Sequence, residues 1–340
     1  MSRRHPEAFP IDDKRVYDAY VAGRASAAMA VGVRLGLFDL LDKSPSSAEQ
    51  IATALELQAR PARSLLAALV GTGLLLLEGE AYSLPEDASA YLVRNKPGSL
   101  WGLVDMEVDE FLDPAKLMRA LKQDDASVYG GGDPWEAHAA DPAKAAAFTA
   151  AMHSVSARPA AGFAEVAPLA STKRLLDVGG GSGALSIACA QANPDLRCTL
   201  FDISVVCDLA ADYVRDADLL ERITPAPGDM FTEAFPEGHD AVLLSQILHD
   251  WSFETGAELL AKAYDCLPSG GQVLIHEKLV DDDGLGPRAN TLVHLDMLVW
   301  TKGQQYRPSE LSTALHNAGF TNVQIMPTAG YWSLAVATKP

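Results

Sequence analysis

The sequence predicts an α/β protein in which a mostly parallel sheet with an antiparallel final strand is joined to a helical N-terminal domain. Strand-like and helical runs alternate from Leu175 onward, which is typical of a parallel sheet covered by helices. Before residue 155 the pattern is almost wholly helical, and 340 residues exceed one typical domain. We therefore expect a helical domain over residues 1–100, linking helices over 101–155 and the sheet domain over 156–340.

The first helical segment, Val16–Leu41, carries small and apolar residues at helical spacing and has few polar positions. The spacing predicts one long helix that is apolar on most of its faces. Such a helix is buried, either in the core of its own domain or in an interface between subunits. We favour the interface, because the helix lies in an outlying domain.

The elements that follow this helix describe a winged helix. Two helices and a strand hairpin are predicted over Gln50–Leu55, Arg60–Val70, Leu74–Glu78 and Ala81–Leu84. A DNA-binding winged helix needs basic residues on its second helix, and the stretch from Ala62 supplies only Arg63. The pattern therefore favours a contact between proteins, or a lid, over DNA binding.

The second half of the chain predicts five parallel strands and a closing hairpin. The parallel strands are expected, with helices between them, over Leu175–Val178, Thr199–Asp202, Ile223–Gly228, Asp240–Ser245 and Val273–Glu277. Phe320–Pro327 and Tyr331–Thr338 flank a turn and would add the final antiparallel pair. Because such sheets bind ligands at the carboxyl ends of their strands, the residues that end each strand form the candidate site.

Composition narrows the class of protein. The formal net charge of −18 gives a surface that repels phosphates, so we expect no nucleic acid and no membrane as a partner. The longest apolar stretches are too short to span a bilayer. Four cysteines without a CxxC pair are typical of free thiols in a reducing compartment, which favours a cytoplasmic enzyme.

The most informative motif is LLDVGGGSG at residues 175–183. Its glycines let the backbone turn sharply and approach a ligand closely, and Asp202 ends the next strand, where an acid accepts hydrogen bonds from ribose hydroxyls. Asp177 precedes the glycines, at a position where dinucleotide-binding folds usually have an apolar residue. An acid there suits a ligand with a sulfonium and an α-ammonium group. The motif therefore favours S-adenosylmethionine over NAD.

Several motifs, taken together, resemble those of the plant-type small-molecule O-methyltransferases, the caffeate and acetylserotonin methyltransferase family. The motifs are RLGLFDLL (34–41), LLDVGGGSG (175–183), LFDI (200–203), GDMF (228–231), ILHDWS (247–252), LPSGGQVLIHEKLV (267–280) and AGF (318–320). The resemblance, in its bacterial secondary-metabolite branch, implies a Rossmann-like class I methyltransferase sheet and a winged-helix dimerisation domain. It implies a homodimer formed through the N-terminal helical domain. The implied cofactor is S-adenosylmethionine, with S-adenosylhomocysteine as its product.

The same resemblance assigns residues to the cofactor. Asp177 and the turn at Gly179 and Gly181 would lie at its methionine part, and Asp202 at its ribose. Adenine would be bracketed by Asp229 and Met230, with Phe231 nearby. Ser156 would reach the methionine carboxylate. Ser245 stands where plant members carry a lysine near the cofactor.

The catalytic residues implied by the resemblance are His249, Asp250 and Glu277. Methyl transfer from a sulfonium is an in-line displacement, so the enzyme mainly aligns the two reactants and excludes water. A phenol, with its pKa near 10, benefits from a positioned base, and histidine titrates in a suitable range. Glu277 ends the strand next to the one that precedes His249, so it is expected to orient the histidine.

The acceptor is predicted to be a small aromatic secondary metabolite, because the residues expected around it are mostly apolar or aromatic. These residues are Trp101, Phe148, Met152, His294, Met297 and Gln305. Gln305 stands where the plant family carries a glutamate, and a neutral amide stabilises a protonated histidine less well.

Two alternatives to O-methylation stay open. One is C- or N-methylation of an indole or α-keto acid precursor, either without a metal or assisted by one on His249, Asp250 and His294. The other is a methyltransferase-like domain that binds its ligand without catalysis. The intact pair of His249 and Glu277 argues against the second alternative.

Overall fold

The computed structural model describes residues 11–340 apart from 112, 125, 127–136 and 138–139. Residues 1–10 of the predicted first domain and part of the predicted linking segment 101–155 therefore lie outside the described residues. The chain forms two compact units. One contains the residues up to Lys96 together with Val104–Leu112, and the other contains Pro97–Leu103 with Asp113–Pro340.

The first unit combines helices with a small antiparallel sheet. Its elements are α1 (Lys14–Leu35), α2 (Leu37–Lys43), β1 (Ser46–Ser47), α3 (Ala48–Ala54), α4 (Ala59–Gly71), β2 (Leu76–Glu78), β3 (Ala81–Ser83) and α5 (Glu86–Leu92). The three strands pair in the order β1-β3-β2. A capping box begins α3, because the Ser47 side chain accepts a hydrogen bond from the Gln50 backbone and the Gln50 side chain accepts one from the Ser47 backbone.

The prediction of one continuous helix over Val16–Leu41 is wrong. The helix ends at Leu35, because Gly36 adopts a left-handed conformation with φ 71° and closes the last turn of α1. Most of α1 is also exposed in the single chain, with Val16 at 70% and Tyr20 at 63%. Its C-terminal part is nevertheless buried in this unit, where Ala30 and Val33 belong to the core. Among the described residues, no single helix is long and apolar enough to cross a membrane; α1 and α2 meet that length and composition criterion only as a pair bent by 65°.

The second unit contains a seven-stranded sheet. Two helices, α6 (Trp101–Phe111) and α7 (Pro114–Gln123), precede it in the chain. The later elements are α8 (Pro142–Val166), β4 (Arg174–Val178), α9 (Ala184–Ala192), β5 (Arg197–Asp202), α10 (Ser204–Asp216), β6 (Ile223–Pro227), β7 (Ala241–Ser245), α11 (Phe253–Cys266), β8 (Gln272–Glu277), α12 (Arg288–Trp300), α13 (Pro308–Asn317), β9 (Thr321–Pro327) and β10 (Ser333–Thr338). A short 3₁₀ turn, Leu248–Asp250, lies between β7 and α11.

The strand order of this sheet is β6-β5-β4-β7-β8-β10-β9. The neighbouring pairs from β6 to β8 are parallel, whereas β10 is antiparallel to both β8 and β9. Successive side chains pack into separate cores on the two faces: Leu176 and Leu244 into one, Leu175 and Leu243 into the other. The predicted fold class, a mostly parallel sheet closed by an antiparallel hairpin, is confirmed.

One predicted helix is absent. Residues 228–240, which join β6 to β7, form turns and bends without a helix. Pro236 and Gly238 lie in this segment and disfavour helix formation. The connection is therefore a loop, and its first residues, Gly228 to Glu233, lie at the carboxyl edge of the sheet.

Candidate active site at the carboxyl edge of the sheet

The glycine-rich turn follows β4 and begins α9. Gly179 and Gly181 have φ values of 65° and 56°, a conformation that side chains disfavour. A Cβ on Gly179 would lie 2.4 Å from Ile247 Cδ1, whereas a Cβ on Gly181 would meet nothing within 4 Å. Gly179 therefore packs against the segment after β7, and Gly181 borders open space that a ligand could fill.

Asp202, at the end of β5, is hydrogen-bonded to this turn. Its Oδ2 accepts the backbone N–H of Gly181 at 2.9 Å, and its Oδ1 accepts that of Ile203 at 2.8 Å. Burial raises the pKa of Asp202 to about 6, against the effect of these two hydrogen bonds. These hydrogen bonds join the Asp202 side chain to the glycine-rich turn.

Asp177 lies beneath the turn, with only 2% of its surface exposed. Its carboxylate accepts a hydrogen bond of 2.6 Å from the Ser186 hydroxyl on α9. A Cβ on Gly180 would lie 3.0 Å from Asp177 Cγ, so the backbone of the turn rests on this side chain. Burial raises the pKa of Asp177 to about 7. In the structure Asp177 supports the turn from below.

The loop after β6 presents Asp229, Met230 and Phe231. Asp229 accepts hydrogen bonds from the Phe231 backbone and the Thr232 hydroxyl, both at 2.8 Å, and these bonds lower its pKa. The Phe231 ring packs edge-on against Trp251, with 4.5 Å between the ring centroids. The loop is therefore shaped by its own acid and contacts the segment that follows the 3₁₀ turn.

Ser156 and Ser245 meet partners that the sequence did not indicate. Gln246, a non-glycine residue with φ 56°, donates from its side-chain amide to Ser156 Oγ at 2.9 Å. Ser245 Oγ lies 3.2 Å from Nδ1 of the buried His276. A left-handed residue in this position costs conformational energy, and such residues are enriched at functional sites.

His249 lies on the 3₁₀ turn, between three polar side chains. Its Nδ1 is 3.3 Å from Glu277 Oε2 and 3.0 Å from Gln305 Nε2, and its Nε2 is 3.6 Å from Asp250 Oδ1. Glu277, at the end of β8, also accepts the backbone N–H groups of Ile247 and Leu248 at 3.1 Å each. Glu277 thus fixes both the turn and the imidazole that the turn carries.

Two buried oxygens stand close enough to Nδ1 to accept its proton. Glu277 Oε2 and Gln305 Oε1 are buried oxygens without another hydrogen-bond partner in the described structure, and a half-turn of the Gln305 amide brings its oxygen to Nδ1. With Glu277 ionised and the amide turned in this way, both oxygens accept hydrogen bonds and together favour the tautomer with Nδ1–H. Nε2 then keeps its lone pair and is able to accept a proton.

Burial sets the charge states of this cluster. It lowers the pKa of His249 to about 4, and the nearby positive charge of Lys278 acts in the same direction. Burial also raises the pKa of Asp250 and of Glu277 to about 8 each, and the charge of Asp250 adds to the shift of Glu277. The imidazole is therefore neutral at neutral pH, as a general base must be.

This cluster makes the stability of the ligand-free protein depend on pH. The pKa of Asp250 is near 4 in an unfolded chain but about 8 in the folded protein. Its contribution to the free energy of unfolding is therefore complete below about pH 4 and is lost as the pH rises towards 8. We expect the free energy of unfolding to fall by about 2 kcal/mol or more between pH 6 and pH 9. Denaturant titrations at both pH values measure this.

Asp250→Asn should flatten that pH dependence, because the amide does not titrate. The exposed Asp216 provides a matched control, and Asp216→Asn should leave the slope unchanged. Equal slopes in the wild type and Asp250→Asn would contradict the assignment.

The residues predicted for the acceptor lie on α6, α8 and α12. Phe148 and Met152 are on α8, His294 and Met297 are on α12, and Trp101 begins α6. The backbone next to Trp101 approaches α8, since a Cβ on Gly102 would lie 3.7 Å from Ala151 Cα.

These helices approach each other and the 3₁₀ turn. The Phe148 ring contacts that of Trp300 across α8 and α12, with 6.1 Å between centroids. Helix α12 packs against the 3₁₀ turn, and Nδ1 of His294 is buried there without a hydrogen-bond partner in the described structure. Aromatic rings of α8 and α12 are thus in contact, and α12 also packs against the turn that carries His249.

The metal-assisted alternative is not supported by the geometry. Within the part of the chain that the structure describes, no three His, Cys, Asp or Glu side chains converge as metal ligands. His249, Asp250 and His294 therefore do not form the predicted ligand set. The His249 nitrogens face Glu277, Gln305 and Asp250 instead.

Two further contacts at the site involve residues that the sequence did not single out. His153 on α8 bonds through Nδ1 to the Ser182 hydroxyl in the glycine-rich turn at 2.8 Å and stacks on Tyr213. The backbone of Gly303 lies against the 3₁₀ turn, where a Cβ would be 1.9 Å from the His249 carbonyl oxygen. Neither contact has a signal in the sequence, since both join segments that are distant along the chain.

A sheet of this topology, with a glycine-rich turn after one strand and an acid ending the next, defines the class I S-adenosylmethionine-dependent methyltransferases. Residues 115–321 match the O-methyltransferase domain and residues 19–94 match the O-methyltransferase dimerisation domain. The chain belongs to the O-methyltransferase family.

Similar proteins agree with this membership. The chain is 36% identical to 3-hydroxy-5-methyl-1-naphthoate 3-O-methyltransferase of Streptomyces sahachiroi, over 87% of this chain and 86% of the relative. It is 31% identical to the tetracenomycin polyketide synthesis 8-O-methyl transferase TcmO of Streptomyces glaucescens, over 93% of each. Human N-acetylserotonin methyltransferase, solved in complex with S-adenosylmethionine, superposes with a TM-score of 0.86 at 26% identity, over 98% of this chain and 99% of that one.

Relatives with other methyl acceptors are also similar. They include the L-tyrosine C(3)-methyltransferase of Streptomyces lavendulae, 32% identical over 84% of this chain and 81% of the relative. The N,N-dimethyltransferase OxyT of Streptomyces rimosus is 30% identical over 92% of each. The family therefore contains enzymes that methylate oxygen, carbon and nitrogen.

The protein is an S-adenosylmethionine-dependent methyltransferase, and its residues fit that cofactor. Open space borders Gly181, and the Asp202 carboxylate stands beside it at the strand end. Asp177 and Asp202 place two carboxyl groups at the turn, which suits a cationic sulfonium rather than a pyrophosphate. When bound, S-adenosylmethionine supplies an electrophilic methyl group.

Proposed function

We propose that the enzyme methylates a hydroxyl group of a small aromatic secondary metabolite, with His249 as general base. The observation that carries this proposal is the hydrogen-bonding of His249, whose Nδ1 faces Glu277 and Gln305 and whose Nε2 keeps its lone pair. A neutral imidazole so oriented accepts the proton of an acceptor hydroxyl as that oxygen becomes the nucleophile. Glu277, when ionised, stabilises the resulting imidazolium, and Asp250 lies beside Nε2.

We assign the cofactor to the strand ends from β4 to β7. Gly179, Gly181 and Ser156 would hold its methionine part, with Asp177 beneath the turn and Ser245 nearby. Asp202 would hold the ribose hydroxyls, while Asp229, Met230 and Phe231 would hold adenine. The support is the placement of these residues along one edge of the sheet, with Met230 Sδ 4.0 Å from the Cβ position of Gly179.

We assign the acceptor to the space near His249 bordered by α8 and α12. Its walls would be Trp101, Phe148, Met152 and Met297, with His294 and Gln305 as polar groups. Flat aromatic acceptors suit such walls, because ring stacking and apolar contact orient them. The naphthoate and tetracenomycin relatives support a polycyclic acceptor and a place in secondary metabolism such as antibiotic biosynthesis.

The proposal is tested by incubating the enzyme with S-adenosylmethionine labelled in its methyl group and a panel of naphthols, hydroxynaphthoates and other phenols. We expect label in a product that is heavier by one methyl group, with the methyl carbon bonded to oxygen in its NMR spectrum. Matched acceptors whose hydroxyl is replaced by a methoxy group should take up no label. Label bonded to carbon or nitrogen would contradict O-methylation.

C- or N-methylation is the second candidate function. Gln305 favours it, because a buried neutral amide beside His249 stabilises an imidazolium less than a carboxylate does. The C- and N-methyltransferase relatives are consistent with it. The same labelling experiment, with indoles, aromatic amines and α-keto acids added to the panel, distinguishes the two candidates.

We also propose that the enzyme works as a homodimer through its N-terminal domain. That domain matches the family's dimerisation domain, and α1 exposes Val16, Tyr17 and Tyr20. Such a row of exposed apolar and aromatic residues is typical of a surface covered by a partner.

The remaining proposals concern organisation and place. The order of α3, α4 and the β2–β3 hairpin supports a winged helix within residues 1–100. Residues 101–155 would link it to the methyltransferase domain over 156–340. A cytoplasmic location is supported by four cysteines that are all free thiols.

A further inference from the structure

The loop that carries Asp229, Met230 and Phe231 is organised by a lysine from a distant segment. Lys262, on α11, donates from Nζ to the carbonyl oxygens of Met230 at 2.8 Å, Phe231 at 2.5 Å and Glu233 at 2.9 Å. An ammonium group has three N–H donors, so this set of acceptors uses all of them. The backbone of the loop is therefore curved around one positive charge.

The other side of the loop is closed by its own acids. The Asp229 carboxylate accepts the Phe231 N–H and the Thr232 hydroxyl, and Glu233 Oε1 accepts the Asp229 N–H at 3.0 Å. Residues 228–234 contain no helix or strand that would fix the backbone by itself. Lys262 thus supplies the hydrogen bonds that regular structure supplies elsewhere.

The loop also contacts two parts of the candidate site. Met230 Sδ lies 4.0 Å from the Cβ position of Gly179, and the Phe231 ring packs on Trp251, which directly follows the 3₁₀ turn. A displacement of the loop would therefore change the space in front of the glycine-rich turn.

We propose that Lys262 is a positioning residue for the adenine end of the cofactor: it holds residues 229–233 in the shape that binds the base. The proposal rests on the assignment of adenine to Asp229, Met230 and Phe231. Lys262 acts through the loop backbone and touches neither reactant. Its charge also compensates three carbonyl dipoles that would otherwise point at one another without a partner.

The test is binding of S-adenosylhomocysteine and of 5′-methylthioadenosine by calorimetry, without any acceptor. In Lys262→Met we expect both ligands to bind about tenfold more weakly, because the loop loses its three hydrogen bonds to the ammonium group and must be ordered by the base itself. The two ligands share the base and differ in the amino-acid end, so the loss should be equal for both. Lys262→Arg should recover most of the affinity.

Lys339 provides a matched control. It donates to the carbonyl oxygens of Tyr264 and Leu267 at 2.7 Å each, so it holds the C-terminal end of α11 rather than the carbonyl groups of the loop. Lys339→Met should lower the melting temperature but leave both affinities unchanged. In turnover, Lys262→Met should raise KM for S-adenosylmethionine about tenfold and change kcat at saturation by less than about twofold.

Three results would overturn the proposal: unchanged binding in Lys262→Met, equal weakening in Lys262→Met and Lys339→Met, or a loss confined to S-adenosylhomocysteine. If Lys262→Met does not fold, the affinities of Lys262→Arg and Lys262→Gln are compared instead. Equal affinities in these two variants would exclude a role for the positive charge. Failure of the wild type to bind either ligand would instead refute the cofactor assignment itself.

Discussion

Replacing His249 with alanine should lower kcat by about a thousandfold while binding of S-adenosylhomocysteine changes little. A positioned base contributes about 10² to 10⁴ to such a reaction, and no other described side chain at Nε2 replaces a neutral imidazole. Asp250 lies 3.6 Å away, but burial raises its pKa to about 8, so it is mostly protonated at neutral pH. Steady-state kinetics with the acceptor found in the labelling experiment measures the loss.

The pH profile separates this role from a structural one. The pKa of His249 is lowered to about 4, so its neutral form persists as the pH falls from 7 to 5, and wild-type turnover should lose little of its rate through this group over that range. His249→Gln should remain folded and be as inactive as His249→Ala. His316, an exposed histidine on α13, is the control, and His316→Ala should keep full turnover. Near-wild-type turnover in His249→Ala would refute the general-base assignment.

Local pattern predicted the sheet well, because its central strands β4, β5, β7 and β8 are short, mostly apolar runs ended by a turn or an acid. The same reasoning failed for Val16–Leu41. Small residues continue through Gly36, and only the left-handed backbone there shows that two helices meet. The exposure of α1 could not be foreseen either, since a helix that is apolar all round has the same pattern in a core and in an interface.

The candidate site was predictable where neighbouring strands determine it. His249 and Glu277 follow adjacent parallel strands, so their proximity follows from topology. Gln305 was singled out by its place in a motif, but its contact with Nδ1 depends on how the segment after α12 folds back. The metal ligand set failed for the same reason, because spacing along the chain does not determine whether side chains converge.

Lys262, Gln246 and Gly303 had no signal in a single sequence. A lysine on an amphipathic helix is most often solvated. The three acceptors of Lys262 are backbone carbonyl groups, which every residue has, so the identities of those residues do not predict the contact. Their roles arise from tertiary contacts, which composition and periodicity do not encode.

Gly303→Ala should lower kcat by about a hundredfold or more, through a change in shape alone. A Cβ at this position would lie 1.9 Å from the His249 carbonyl oxygen and 2.5 Å from both Asp250 C and Trp251 N. All three are backbone atoms, so no side-chain rotation relieves the overlap and the 3₁₀ turn must move. A shift of about 1 Å in a catalytic group costs about 10²-fold in rate.

Because the turn carries His249 and is also bonded to Glu277, its displacement should weaken the contact that fixes the imidazole. We therefore expect kcat to fall more than cofactor affinity, with S-adenosylhomocysteine binding changed by less than about fivefold. Gly71→Ala, at a helical position where a Cβ meets nothing within 4 Å, should leave kcat and stability unchanged or slightly improved. A wild-type kcat in Gly303→Ala would show that the segment after α12 shifts while the 3₁₀ turn stays in place. That result would contradict the close packing on which the orientation of His249 depends.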